Sequence, residues 1–231
     1  MKKLKQGCDL ATCFLCKRCL PEWLPAVNAN REHLLYKKGA ALFREGDPVT
    51  GIYFVYSGTV KVHKKWGEEK ELIVRFAAAG DIVGHRGIGS EQYYPITATA
   101  LEPVSVCFIS LDFFNSSLRV NHQLLYELMM FYASELQLSE KQMRNLAHMP
   151  VKGRVANALL LLQEKFGTTP AGNIGLSLSR QDLAAYAGTT YETVFRLLTE
   201  LSGEGIIRHT GRDIQILDAA QLAGFTRATQ G

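Results

Sequence analysis

The sequence predicts an α+β chain: an antiparallel β-roll, then one long helix, then a helical unit closed by a β-hairpin. Three observations predict it. Between about residues 33 and 111, short runs of β-forming residues alternate with glycine turns, with no helical period between them. From residue 112 to Pro150 there is neither glycine nor proline, and apolar residues recur at steps of three and four. Beyond Pro150, two short helical patterns meet at a glycine and give way to a strand–turn–strand pattern.

The 231 residues suffice for one large domain or two modest ones with a real core. Hydrophobic residues make up 47% and charged residues 21%, as in ordinary globular proteins.

Residues 1–30 form a cysteine-rich segment read as irregular, with Pro21 and Pro25 breaking any long helix. Residues 31–118 form the β-roll. In "GIYFVYSGTVKVHKKWGEEKELIVRF", strands over 52–56 and 59–63 flank a tight turn at Ser57-Gly58. A second turn near Gly67 leads to a strand over 72–76. "AGDIVG" and "PITATALEPVSVCFIS" add further short strands. Many short strands without intervening helices indicate an antiparallel barrel or jelly roll.

Residues 119–149 are read as a long helix. Leu125, Met129, Tyr132, Leu136, Met143 and Leu146, with Ser139 between, fall on one stripe close to a coiled-coil seam. The stripe either packs on the chain's own β-roll or joins two copies about a two-fold axis. A helix this long outruns the face of a small barrel, so the stripe is expected to be a dimer interface.

Residues 150–231 complete the chain. "VKGRVANALLLLQEKFG" is helical. Ser179 can cap a helix running through Ala187, and Gly188 makes a tight turn. Thr189 or Thr190 caps a second helix that runs to about Ser202, with Glu192 at capping-box distance from Thr189. "IIRHTGRDIQIL" then reads as a hairpin turning at Gly211-Arg212, the wing of a winged helix–turn–helix.

Charge narrows the partners. The net charge is +4, and residues 1–20 hold five basic residues against one acidic one, so the rest is near neutral. A surface for a polyanion must then be a local patch. "MKKLK" is not followed by an apolar run of signal-peptide length, and no run spans a membrane, so a cytoplasmic protein is expected. In a reducing compartment, clustered cysteines more often bind metal or sense redox state than form disulfides.

The second helix of the pair carries the patch. Val194, Leu197, Leu198 and Leu201 form its inner stripe, and Tyr191, Glu192, Phe195, Arg196 and Thr199 its outer one. A helix so placed can enter the major groove of double-stranded DNA. Arg196 has the fork to grip guanine O6 and N7, and Glu192 can accept from cytosine N4. Thr189 and Thr190 sit where a phosphate could be met. The competing reading is a protein-binding helical hairpin, with Glu192 and Arg196 as an exposed ion pair of about 0.3–0.5 kcal/mol.

This order of parts resembles the Crp/Fnr family of bacterial transcription regulators. The phrases "FREGDPVTGIYFVYSGTVKV", "AAGDIVGHRGIGS", "SRQDLAAYAGTTYETVFRLLTEL" and "DAAQLAGFTR" carry the resemblance over nearly the whole chain. "IGS" and "ALEPVSVC" look closest to the oxygen-sensing Fnr branch. The resemblance implies a cyclic-nucleotide-binding-like jelly roll and a homodimer on inverted-repeat DNA that contacts RNA polymerase. It implies base reading by Glu192 and Arg196. Half-sites are then expected about one helical turn, ~34 Å, apart.

Family members that bind cyclic nucleotides use a Glu and then an Arg-Ser pair in the β-roll. Here those places hold His85 or Arg86, then Tyr94-Pro95. Tyrosine cannot neutralise a phosphate and proline lacks a backbone donor, so cyclic AMP is not expected. For His85 and Arg86 the reading is a solvated turn.

The cysteines suggest the signal. Cys8, Cys13, Cys16 and Cys19 crowd into "CDLATCFLCKRC", and Cys107 stands alone in "VSVCFIS". The spacing only partly resembles a ferredoxin run. Oxygen-sensing Fnr proteins hold a [4Fe–4S] cluster with three N-terminal cysteines and one from the β-roll. By that resemblance Cys107 is the distant ligand, Cys13 and Cys16 are the close pair, and Cys8 or Cys19 is the third. The rival is Zn²⁺ on the four N-terminal thiols, with Cys107 a buried apolar residue. Either way the expected protein is a regulator and not an enzyme, since the six histidines are scattered singly and no nucleophile–base pair is visible. The alternatives are a regulator switched by a small molecule in the β-roll, with structural zinc, and an iron–sulfur electron carrier.

Overall fold

The structure, a computed structural model, describes residues 10–67 and 70–227. Its contacts divide the chain into two compact units, the first ending at Leu136 and the second beginning at Gln137.

In the first unit the cysteine-rich segment is a series of turns. It is followed by helix α1 (Leu24–Asn30), so the segment is not irregular throughout. Pro25 lies in the first turn of α1, where its missing N–H would have had no helical partner anyway.

Eight strands follow: β1 (Arg31–Tyr36), β2 (Ala41–Phe43), β3 (Gly51–Ser57), β4 (Val60–Trp66), β5 (Lys70–Ala77), β6 (Ile82–Val83), β7 (Thr97–Ala100) and β8 (Val104–Ser110). They make two four-stranded antiparallel sheets, ordered β1-β8-β3-β6 and β2-β7-β4-β5. The jelly-roll expectation holds; β3 and β5 extend one or two residues beyond their expected ends, while β4 begins one residue later than expected and runs three further.

Alternation along β8 gives the sheet its two faces. Val104, Val106 and Phe108 join the cluster between the sheets, with Phe43, Tyr53, Tyr94 and Ile96. Cys107 and Ile109 join a second cluster on the other face. There Cys107 stands opposite His33 of β1 and Phe54 of β3.

The long helix expected over 119–149 is α3 (His122–His148), and a separate helix, α2 (Leu111–Val120), precedes it. The break is at Asn121, with φ −111° and ψ 84°. Its buried carboxamide bonds to Ser117 O through Nδ2 at 2.8 Å and takes the Leu20 N–H on Oδ1 at 2.8 Å. Asparagine's side chain competes well with helical backbone bonds, which is why the helix interrupts here.

The second unit holds α4 (Val151–Phe166), α5 (Arg180–Ala187), α6 (Tyr191–Gly203), the hairpin β9 (Ile207–Thr210) and β10 (Asp213–Ile216), and α7 (Ala219–Gly224). Ser179 caps α5 by accepting the Asp182 N–H at 3.0 Å. Gly188, at φ +63°, turns the chain in the left-handed region that a side chain would resist. Thr190 is the cap of α6, accepting the Thr193 N–H at 3.3 Å. Glu192 therefore stands two residues after the cap, and no capping box forms from Thr189.

Candidate functional site

Helix α6 presents the outer stripe read from the sequence. Val194, Leu197, Leu198 and Leu201 are buried against the second unit's core, while Tyr191, Glu192, Phe195, Arg196 and Thr199 face solvent. Arg196 keeps 69% of its side chain exposed and pairs with Glu200 at 3.5 Å, one turn on. Arg196 thus pairs toward the helix C-terminus and not with Glu192, the pair that the competing protein-binding reading supposed. The Glu192 carboxyl is held below its ordinary range by its own backbone N–H and by the Thr190 hydroxyl. Two anchors fix this helix. Lys152 of α4 reaches Glu200 at 2.8 Å and Glu204 at 3.2 Å. Arg154 donates to Ala187 O and Gly188 O, both at 3.1 Å, and so clamps the turn before α6. The sequence reading missed Arg154; its signal, a lone arginine in an apolar helix, is weak without the fold.

The cysteines occupy a pocket in the first unit. Cys13, Cys16, Cys19 and Cys107 are all buried in one cluster with Phe14, Ile52, Phe54, Phe114, Leu124 and Leu128. Chain order separates Cys107 by almost ninety residues, and the fold closes that gap. Cys8 lies outside the described residues. The segment docks through the Phe14 N–H on Gly80 O at 3.1 Å and through Phe14 edge-on to Phe131 at 5.2 Å. Arg18 lies over the Phe14 ring and pairs with Glu127 at 3.5 Å.

Thiol donors in an apolar pocket are the right chemistry for an iron–sulfur cluster or zinc. The arrangement is not. Among the described residues, no three His, Cys, Asp or Glu side chains are placed to hold a metal ion. Cys19 is held as a thiol: its Sγ–H donates to Asn121 Oδ1 at 3.3 Å, and burial pushes its pKa up. A metal ligand must be the thiolate. As arranged here, the described thiols of Cys13, Cys16, Cys19 and Cys107 do not fit a bound cluster or zinc.

His85 and Arg86 do not form a solvated turn. His85 is buried, and burial, then the charges of Arg75 and Arg86, push its pKa down to about 3. A backbone hydrogen bond with Ile82 opposes this shift without offsetting it, and Glu135 lies 3.9 Å from His85 Nε2. Glu135 gathers Arg86 at 2.8 Å and Arg75 at 3.6 Å, and the Tyr132 hydroxyl donates to His85 O at 2.5 Å. These contacts tie α3 to the β-roll. Tyr132 therefore turns inward, away from its expected place on the exposed stripe. Leu124 and Leu128 share this inner face, which the sequence reading did not separate from the outer one. Leu125, Met129, Leu136, Met143 and Leu146 are exposed.

Inside the β-roll, Tyr94 stacks on Phe43 at 3.9 Å and donates its hydroxyl to Gly51 O at 2.7 Å. Phe43, Tyr53 and Tyr94 share the space between the sheets with the valines of that core. On the outer face of the second sheet, His63 is not solitary. Its Nδ1 lies 2.6 Å from Glu71 Oε1 and its Nε2 2.9 Å from Thr99 Oγ1. Lys61 also pairs with Glu71, at 2.8 Å.

A reading helix on a clamped turn, followed by a wing, defines a helix–turn–helix DNA-binding protein. The Crp-like helix-turn-helix domain matches residues 153–225, and the cyclic nucleotide-binding domain matches residues 33–121. The chain is 30% identical to the transcriptional activator protein anr of Pseudomonas aeruginosa over 92% of its length and 90% of the relative's. It is 30% identical to the anaerobic regulatory protein of Pasteurella multocida, over 84% of this chain and 71% of that one. The solved structure of FixK2 from Bradyrhizobium japonicum superposes with a TM-score of 0.77 at 27% identity, covering 86% of this chain and 98% of that one. The chain belongs to the Crp/Fnr family of DNA-binding transcription regulators. Among the described residues, no helix is long and apolar enough to cross a membrane.

Proposed function

We propose that this chain is a cytoplasmic homodimeric regulator that reads an inverted repeat in double-stranded DNA and receives a redox, oxygen or nitric oxide signal at its N-terminal cysteines. One observation carries this reading. Helix α3 buries Leu124 and Leu128 and packs Phe131 in the cluster that holds the cysteines, while leaving Leu125 and Met129 exposed on a neighbouring face. The same helix thus meets the cysteine cluster on one face and offers an apolar face to a second copy on the next. Leu136, at 60% exposure, and Met143, at 61%, extend that face. Two copies paired along it would present two α6 helices to successive major grooves.

The docked segment shields its thiols. Whatever engages them must do so when the segment is released, and so shifts the population away from the docked state. Release removes the contacts of Phe14, Arg18 and Cys19 with Phe131, Glu127 and Asn121, beside the proposed dimer seam. The name of the Pasteurella relative, an anaerobic regulatory protein, supports oxygen as the signal. Contact with RNA polymerase belongs to the proposal by family membership alone. Thr189, Thr190, Glu192 and Arg196 are the proposed polar contacts to DNA.

The test uses anaerobically purified protein, before and after air. Footprinting should show a two-fold symmetric protected site whose affinity changes on exposure. Cys13→Ser and Cys16→Ser should remove the change. Metal analysis and a visible spectrum separate an iron–sulfur cluster from zinc. Identical footprints in both states, with no metal, would overturn the sensing part of the reading.

A second reading rests on a different feature. A cavity of about 810 Å³ lined by Leu35, Tyr36, Lys38, Ala40, Pro103 and Val104 opens on the β-roll. A small amphipathic effector there would switch the regulator without the thiols. Effector-dependent DNA binding that persists in the Cys13→Ser, Cys16→Ser protein would favour it.

A further inference from the structure

Two aromatic side chains on α6 have no place in the polar reading above. Tyr191 is 45% exposed and Phe195 55%, although apolar rings of this size normally seek burial. They lie one turn apart, near-parallel, with ring centroids 6.4 Å apart and an interplanar angle of 16°. Both sit in the first half of a 13-residue helix, on the same face as Glu192 and Arg196. The helix's own core is already complete on the opposite side, where Val194, Leu197, Leu198 and Leu201 are buried.

We infer that Tyr191 and Phe195 form an apolar edge that reads the 5-methyl groups of thymines flanking the base pair met by Arg196. This rests on the proposal that α6 is the helix that enters DNA. The chemistry is restrictive. A phenyl ring offers no hydrogen-bonding group, so Phe195 cannot read the nitrogen and oxygen edges of bases. The thymine methyl is the apolar group that the major groove offers, and Phe is among the side chains that meet it. The patch is continuous with the polar contacts of the same helix face. A groove floor bearing thymine methyls would bury the rings that the free protein leaves wet. A helix that merely touched phosphates would gain nothing from such a pair.

The experiment uses the full chain, anaerobic and air-exposed, and a half-site chosen by selection from random duplexes. The selected site should hold thymines next to its G·C pair. Each thymine is then replaced by uracil, which removes only the methyl. For the unaltered protein, Kd should rise about fourfold per contacted methyl, the value of one buried methyl group. In Phe195→Ala the uracil penalty should vanish at one position, and in Tyr191→Ala at another. Phe195→Leu should retain it. Both rings are exposed, so the alanine variants should keep the parent's thermal stability. Specific binding that is indifferent to every uracil overturns the inference while leaving the DNA-reading helix intact. Equal loss on thymine and uracil duplexes in Phe195→Ala overturns it too. Binding to no duplex in either state overturns both this inference and the reading beneath it. Capture of a protein by the aromatic pair, with uracil-insensitive DNA binding, would assign the patch to another partner.

Discussion

The Cys19 thiol donates a hydrogen bond to the Asn121 carboxamide across 102 residues of sequence, at 3.3 Å. The same oxygen takes the Leu20 N–H, so one side chain fastens the end of the cysteine segment to the gap between α2 and α3. Ser117, one turn earlier, accepts the Trp23 indole N–H at 3.0 Å. The segment is thus pinned at its polar end by Asn121 and Ser117, and at its apolar end by Phe14.

Replacing Asn121 by alanine takes the acceptor from the Leu20 N–H and the Cys19 thiol, while Ser117 O keeps the backbone N–H of residue 121. The cost should be about 1–3 kcal/mol, the usual penalty for orphaning buried polar groups. Denaturant unfolding measures it. Maleimide labelling of Cys13, Cys16 and Cys19 should speed up in the same variant, since the segment undocks more often. Unchanged labelling would detach the thiols from this anchor.

Acid should find a weak point on the outer face of the second sheet. Burial alone would raise the Glu71 pKa, but the hydrogen bonds and charges of His63 and Lys61 outweigh it and bring it from 4.5 to about 2. A carboxyl depressed by folding stabilises the fold above its unfolded pKa and loses that contribution as pH falls to the folded value. The stability gap between the parent and Glu71→Gln should therefore be largest above pH 4.5 and shrink toward pH 2. Thermal melts at stepped pH read it, and a gap that does not change would show that His63 and Lys61 do not hold the carboxylate.

Arg196→Ala should cost roughly 1–3 kcal/mol at one base pair and relax preference there. Its partner Glu200 keeps Lys152, so the fold should not suffer. Competition binding over all four bases at each position is the measurement. An unchanged preference would remove Arg196 from base reading.

Glutamates at Met129 and Leu136 would place charge in the proposed seam. Self-association should weaken at least about tenfold, the equivalent of ~1.4 kcal/mol, as seen by sedimentation velocity, and DNA affinity should fall with it. A variant that still sediments as the parent would move the dimer interface elsewhere.

Much of this molecule was written locally. The hairpins around Gly58 and Gly67, the Ser179 cap, the Gly188 turn and the wing at Gly211 all follow from residues within a few positions of one another. Such signals survive in a single sequence because backbone sterics and capping act over four or five residues. The polar face of α6 was legible for the same reason, since a helical period fixes which side chains share a side.

Other features needed the tertiary structure. The sequence marked an apolar stripe on α3 but could not tell that Tyr132 turns inward to His85 while Leu136 stays in solvent. Those choices depend on which side chains the β-roll offers to the helix. The break at Asn121 depends on Leu20 and Cys19 arriving from a hundred residues away. His63 was read as solitary because its partners, Glu71 and Thr99, come from neighbouring strands whose register sets the pairing. The cysteine cluster shows the division most clearly. Sequence alone determined that four thiols crowd near the N-terminus. Only the fold decided that Cys107 shares a buried cluster with three of them, because alternation along β8 turns its side chain away from the core between the sheets and into that cluster.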